Sequence, residues 1–319
     1  MSEAGRPRRG SHLPVLRLVG TLLAVALLVY LLSKQGWDEI AGAFRQIAVW
    51  RILLAFALTF ISRMAVSARW YVLLRSGRAD ISFGQSTRIT FAGLFASNFL
   101  WTTIGGDVVR LAGAIRFKFD PAVSAASLVV DRLVGMAGMA MALPFALPSF
   151  FSGTSLSTLH SSPVSTADPA LYAGLVIPFA RSLWEKAGQF IRRLLQALGL
   201  WLSQPRALIS ALGCTWVHML CVFGSVWLLL GGMGESISFW LIAGLWSATY
   251  FVTLLPISIN GLGVQELIMA FLFTKFGGIS GTDSLTLALL MRVLPMFASL
   301  PGALFIPEMV SGTGQRKAS

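Results

Sequence analysis

The stretch "FLWTTIGGDVVRLAG", residues 99–113, sets two glycines, an aspartate and an arginine directly behind an apolar, aromatic run. In a water-soluble chain it would read as a phosphate-cradling turn. Its surroundings give it another meaning. The uncharged run from Ile89 to Trp101 is well short of the roughly 20 residues that a helix needs to cross a bilayer. Arg110, Arg116 and Lys118 follow it, and a crossing would carry these cations outside, against the bias that keeps Lys and Arg in the cytoplasm. A re-entrant hairpin, which enters the membrane and returns, meets both conditions. Gly105 and Gly106 are expected to form its turn, shielded from lipid because irregular backbone is tolerated only against protein or water.

Composition supports a membrane setting. The chain has 319 residues, 55% hydrophobic and 12% charged, about half the roughly 25% charge of a soluble domain. Such a chain cannot cover itself in water, but it can in lipid. The 25 Lys and Arg exceed the 13 Asp and Glu by 12. In lipid this excess reads as basic cytoplasmic loops and attraction to anionic headgroups, not as nucleic-acid binding. Cys214 and Cys221 share an apolar run about two helical turns apart, too far for a disulfide. His12, His160 and His218 are scattered, so no metal or other cofactor is expected.

The expected architecture is an all-α polytopic bundle: about eight spans, one re-entrant glycine-containing hairpin and a possible inverted repeat. A flexible basic stretch, 1–12, precedes a single membrane domain, 13–307, and a flexible tail, 308–319. The first span, "RLVGTLLAVALLVYLLSK", follows Arg6, Arg8, Arg9 and Arg17 and lacks a cleavage signal, so it reads as uncleaved with a cytoplasmic N-terminus. Further spans are expected over 47–74, 121–148, 170–184, 207–230, 238–257, 264–276 and 284–306. Residues 149–169, rich in Ser, Thr and Pro, form an outside loop. The stretch "WEKAGQFIRRLLQALGLWL" reads as a basic amphipathic helix on the cytoplasmic face. Both termini then lie in the cytoplasm of a bacterial-type inner membrane.

Ionisable residues inside lipid cost several kcal/mol and usually pair or serve function. Here Arg63, Arg69, Asp131, Arg132, Glu266 and Arg292 lie within or at the ends of spans, with Asp107 and Arg110 at the glycine turn. Five arginines face three acids, so two positive charges remain when every acid is paired. Arginine's planar fork suits phosphate as the neutraliser. Arg63, Arg69 and Arg110 also fit snorkelling to the cytoplasmic headgroups. Asp131 and Arg132 are adjacent, point about 100° apart on a helix, and each requires a partner elsewhere. Arg292, apolar on both sides in sequence, is expected to pair with Asp131 or Glu266.

A second break, "LLPISINGLGVQEL", residues 254–267, repeats the order of the first: an apolar run, small polar residues, paired glycines, then an acid. Two interrupted segments in the two halves of a membrane chain point to a transporter's midplane site. Gly105-Gly106-Asp107 and Asn260-Gly261-Leu262-Gly263 are therefore expected to face one polar cavity, with Arg110, Arg132 or Arg292 lining both and Arg292 bridging to Glu266.

"NFLWTTIGGDVVRLAGAIR", "SLVVDRLVGMAGMAMALP", the Arg-Trp of "SARWYVLL" and "LLPISINGLGVQELIM" closely resemble signatures of the flippase-like transmembrane domain of bacterial lysyl-phosphatidylglycerol synthases. The resemblance extends from about residue 15 to 306. In that family the second glycine motif usually reads Gly-Leu-Gly-Val-Arg-Glu; here Gln265 takes the arginine's place. The resemblance implies movement or presentation of an anionic or modified lipid across the inner membrane. Synthases of this family carry a soluble aminoacyltransferase domain after the membrane part, and this chain reads as a stand-alone membrane domain without it.

Two other classes remain open at this stage. A membrane enzyme acting on a lipid phosphate would need a base or metal ligand; Asp107 is the sole candidate and no catalytic motif is present, so no enzyme is expected. A scaffold for a separately encoded lipid-modifying enzyme would use the basic helix around Arg192 and Arg193. The expected partners are an anionic membrane lipid and, in the scaffold case, that enzyme.

Overall fold

The computed structural model describes residues 22, 26, 29–30, 37–77, 79–99, 105–152, 201, 203–254 and 261–310. All regular structure among the described residues is helical. Among the described residues, four stretches are long and apolar enough to cross a membrane. Helix α2, Val49–Ser76, is the first; α1, Trp37–Gln46, precedes it. Next, α5, Pro121–Ala142, continues through a 3-10 turn, Leu143–Ala146, into α6, Leu147–Ser152. The third is α7, Pro205–Gly232, and the fourth α10, Gly281–Ser299, which runs on through the turn Leu300–Phe305 into α11, Ile306–Val310.

Local chemistry sets their ends. Helix α5 starts with Pro121, whose missing N–H is no loss at a first helical position. The Asp120 carboxylate accepts from the Ala122 and Val123 amides at 2.8 and 2.9 Å, satisfying donors that a helix start leaves free. At α10 the Ser280 hydroxyl accepts from the Asp283 amide at 3.0 Å. Helix α1 was absent from the expected spans. It buries Ile40 and Ala43, with Ile47 buried just beyond its end, and packs on α10. The long helices α2 and α7 pack along each other, and the Ser225 hydroxyl reaches the Ala55 carbonyl oxygen at 3.2 Å.

Between the long helices lie two hairpins of short ones. In the first, α3, Phe83–Phe99, packs on α4, Gly105–Arg116. In the second, α8, Phe239–Thr253, packs on α9, Val264–Gly277. At 1.5 Å per residue, each is about 18–26 Å long, short of the roughly 30 Å hydrocarbon core. Both hairpins run antiparallel. Gly106 abuts Gly93 and Ser97, while Gly113, further along α4, abuts Ile89, earlier on α3. At the base of the second hairpin the Ser280 amide donates to Glu235 Oε1 at 3.0 Å.

The glycines of the two breaks do different work. The expectation that Gly105 and Gly106 form a turn is corrected: both are helical, the first two residues of α4. Gly106 is there for closeness, since a Cβ on it would overlap Ser97 Oγ and come within 2.6 Å of the Gly93 carbonyl oxygen. In the second break, Gly261 and Gly263 have φ of 67° and 76°, a left-handed backbone that favours glycine. Asn260 lies outside the described residues, as do the span expected over 170–184 and most of the first span. Trp201, in the expected amphipathic helix, is buried, and its Nε1 donates to Ser76 Oγ at 2.9 Å and to the Leu73 carbonyl oxygen at 3.2 Å.

Candidate functional site: a mid-helix cavity beside a buried charge chain

Asp131, at the eleventh position of the 22-residue α5, is 2% exposed and holds two arginines. Its Oδ1 accepts from Arg69 Nε at 2.6 Å, and its Oδ2 from Arg110 Nη1 at 3.1 Å. Arg69 Nη1 also donates to Thr215 Oγ1 on α7 at 3.2 Å. The Arg110 guanidinium lies 4.4 Å from the centre of the Trp70 ring, a favourable place for a cation over a π face. Trp70 Nε1 in turn donates to Ser127 Oγ at 3.0 Å. Asp107, in the first turn of α4, sits 3.7 Å from Arg110 Nη1 and forms an ion pair with Arg132, whose Nε is 2.8 Å from Oδ2. The result is an alternating chain, Arg69–Asp131–Arg110–Asp107–Arg132, across α2, α4 and α5, with one net positive charge. Asp131 and Arg132 do take separate partners, as their divergence on the helix demands.

The second charged group lies on α9 and α10. Arg292 Nε is 3.3 Å from Glu266 Oε1, and Arg292 Nη1 donates to Gln265 Oε1 at 3.3 Å. Glu266 is buried, and its Oε2 has no hydrogen-bond partner. Gln265, where a second arginine would compete for Glu266, instead accepts from Arg292.

A cavity of about 280 Å³ joins the pieces. Thr59, Arg63, Asn98, His218, Trp246, Thr249, Tyr250, Thr253, Gln265 and Arg292 supply its polar lining. Arg63 is the fifteenth of 28 residues in α2 and His218 the fourteenth of 28 in α7, so the cavity sits at mid-depth of the long helices. Asn98 is one residue from the end of α3, Thr253 ends α8 and Gln265 is the second residue of α9. The inner ends of both hairpins therefore reach one space. Gly105, Gly106, Asp107, Arg110 and Arg132 do not line it, nor do Gly261, Leu262 and Gly263, which corrects the expectation that the glycines of both breaks face one cavity served by Arg110 or Arg132: those two arginines bind the first arm, and Arg292 the second. Asn98 is fixed by its Nδ2, which donates to Ser299 Oγ at 2.9 Å and to the Pro295 carbonyl oxygen at 3.4 Å.

Arg63 carries the charge that the acids do not cover. Its Nε is buried without a hydrogen-bond partner, and among the described residues no carboxylate pairs with it. Its neighbour His218 is held through Nδ1, 2.6 Å from Ser62 Oγ. Sequence reasoning left Arg63, Arg69 and His218 outside the candidate site. Snorkelling accounted equally well for both arginines, and nothing in the sequence places α2 against Asp131. Among the described residues no cluster of His, Cys, Asp and Glu is arranged to hold a metal ion, and Cys214 and Cys221 are free thiols.

Long apolar helices, two short helical hairpins and charges buried at mid-depth define a multi-pass integral membrane protein. The chain belongs to the family described as the lysylphosphatidylglycerol synthase TM region, whose sequence pattern matches residues 17–302. No curated protein matches it.

Proposed function

We propose that the protein moves or presents a phosphate-bearing anionic lipid across the inner membrane, holding the headgroup in the mid-depth cavity. One observation carries the reading: Arg63, a half-buried cation whose Nε is buried without a hydrogen-bond partner and which has no acid partner among the described residues, faces a cavity at which two interrupted helical hairpins end. An uncompensated charge away from water is costly, and a phosphate oxygen supplies what Arg63 lacks. Hairpins that are too short to cross support a re-entrant reading for both. Residues 238–257 and 264–276 then form one re-entrant pair, and about six crossings replace eight. Because two crossings are lost, both termini stay in the cytoplasm. The first hairpin enters from the cytoplasmic side, where Arg75, Arg116 and Lys118 lie, and the second from the opposite side, in keeping with the positive-inside bias.

The test is reconstitution of the purified chain in liposomes containing a fluorescent anionic lipid, followed by dithionite quenching. Wild-type protein is expected to expose inner-leaflet lipid, and Arg63→Ala to lose most of that rate at wild-type expression. No movement of any lipid by folded protein overturns translocation and favours a scaffold role. Conversion of the probe to a new lipid favours an enzyme.

A further inference from the structure

The start of α2 lies beside the end of α7, at the end of the bundle remote from Arg75. Two tryptophans stand there on the outside: Trp50 is 57% exposed and Trp227 51%. Tryptophan at the ends of membrane-crossing helices marks the headgroup layer. With Arg51, Gly231, Glu235 and Ser236, the two rings border a cavity of about 340 Å³, whose other walls, Leu228 and Ile237, are apolar. It shares no lining residue with the mid-depth cavity. Arg51 stands twelve residues before Arg63, about 18 Å along the helix.

Two opposite charges line this space without touching. Arg51 Nη1 donates to the Leu228 carbonyl oxygen at 3.4 Å, and the guanidinium lies 5.3 Å from the Trp50 ring centre. Gly231 leaves room for it, since a Cβ there would come within 3.0 Å of Nη1. Glu235 Oε1 accepts from the Ser280 amide at 3.0 Å, and Oε2 remains as an acceptor. Arg51 and Glu235 form no ion pair with each other or with any other described residue. A ligand that bridges them carries an anion and a cation a short tether apart and no net charge.

The other polar groups refine the choice. Both indole N–H groups only donate, so they serve phosphate or ester oxygens and not a cation; the Ser236 hydroxyl can do either. Arg51 already occupies the Trp50 ring, whereas the Trp227 ring has no aromatic or cation contact among the described residues. One free ring beside a carboxylate oxygen suits a primary ammonium, which has hydrogens to donate. A trimethylammonium has none and relies on a cage of several rings. The volume lies within the roughly 300–1,000 Å³ of small-molecule sites, enough for a headgroup whose acyl chains stay in the bilayer.

We infer that this cavity is an interfacial site for a zwitterionic aminophospholipid, with Arg51 on the phosphate and Glu235 Oε2 and the Trp227 ring on the primary ammonium. The site stands apart from the mid-depth cavity and does not depend on lipid translocation.

Native mass spectrometry of the detergent-purified chain tests it, with equal amounts of dioctanoyl phosphatidylethanolamine, phosphatidylcholine and phosphatidylglycerol present. Wild-type protein is expected to retain phosphatidylethanolamine over phosphatidylcholine by at least about fivefold, the scale of one cation–π contact with a charge-assisted hydrogen bond. Glu235→Gln keeps an oxygen for the Ser280 amide while losing the charge, and Trp227→Ala removes an exposed ring. Each should abolish that margin, with phosphatidylglycerol retention and the thermal midpoint unchanged. If Glu235→Gln lowers the midpoint, Trp227→Ala decides alone. Equal retention of the two zwitterionic lipids by wild type, or a margin that survives in the folded variants, overturns the inference. Displacement of phosphatidylethanolamine by an equal concentration of water-soluble glycerophosphoethanolamine overturns the lipid assignment and leaves a site for a soluble phosphoamine.

Discussion

A methyl group on residue 106 would meet the backbone of α3, 2.6 Å from the Gly93 carbonyl oxygen, and a backbone cannot turn aside as a side chain can. Gly106→Ala is therefore expected to lower stability by about 1–3 kcal/mol, measured by thermal unfolding in detergent. Gly213→Ala is the control: nothing lies within 4 Å of a Cβ there, and gaining helix propensity should leave the midpoint unchanged or higher. The charge chain gives a second contrast. Asp131→Asn strands two arginines around a side chain that is 3% exposed, whereas Arg132 is 57% exposed at the chain's outer end. Breaking the buried pair should cost about 3–5 kcal/mol, and Arg132→Ala less than about 1 kcal/mol, both read from unfolding midpoints.

The helices differ in how far the sequence announces them. Expected boundaries for α2 and α7 agree with the structure within about two residues, because long apolar runs with Pro or charge at their ends leave little choice. The first hairpin is harder to read. Helix α3 begins at Phe83, ahead of the uncharged run, since Arg88 is accommodated with its guanidinium 5.9 Å from the Phe305 ring centre. The breaks were legible because glycines and polar residues interrupt apolar runs. The role of each glycine was not, because close packing and left-handed backbone leave the same letter. Pairing partners were also hidden: the sequence tells which way Asp131 points on its own helix, but not that Arg69, 62 positions earlier, arrives there. At this scale the re-entrant reading has a direct check. Cysteine at Leu262, which is 41% exposed, should resist a membrane-impermeant maleimide added from the side that labels cysteine at Lys118. Ready labelling of both from that side would mean that α8 and α9 each cross.

In the whole molecule, charge and hydrogen bonding are divided between two places. The Asp131 chain ties α2, α4, α5 and α7 together, and the cavity collects the inner ends of both hairpins around Arg63. The sequence foresaw an excess of two cations; it could not say that one would be distributed along a paired chain and the other left at a cavity. This division predicts separable phenotypes, scored by expression level against lipid movement: Asp131→Asn should reduce the amount of folded protein, and Arg63→Ala should reduce movement per folded molecule.

The Arg69–Asp131 contact also bears on how the chain is made. Helix α2 leaves the ribosome first, with a guanidinium whose carboxylate lies 62 residues behind it. Threonines 59, 249 and 253 satisfy their hydroxyls on their own helices and can enter lipid one helix at a time. Arg69 and Asp131 cannot. An unpartnered charge near the centre of a helix costs about 2.5–3.5 kcal/mol on insertion scales. Early biogenesis thus favours α2 waiting beside the insertion machinery until α5 emerges, so that Arg69 and Asp131 enter the bilayer already paired.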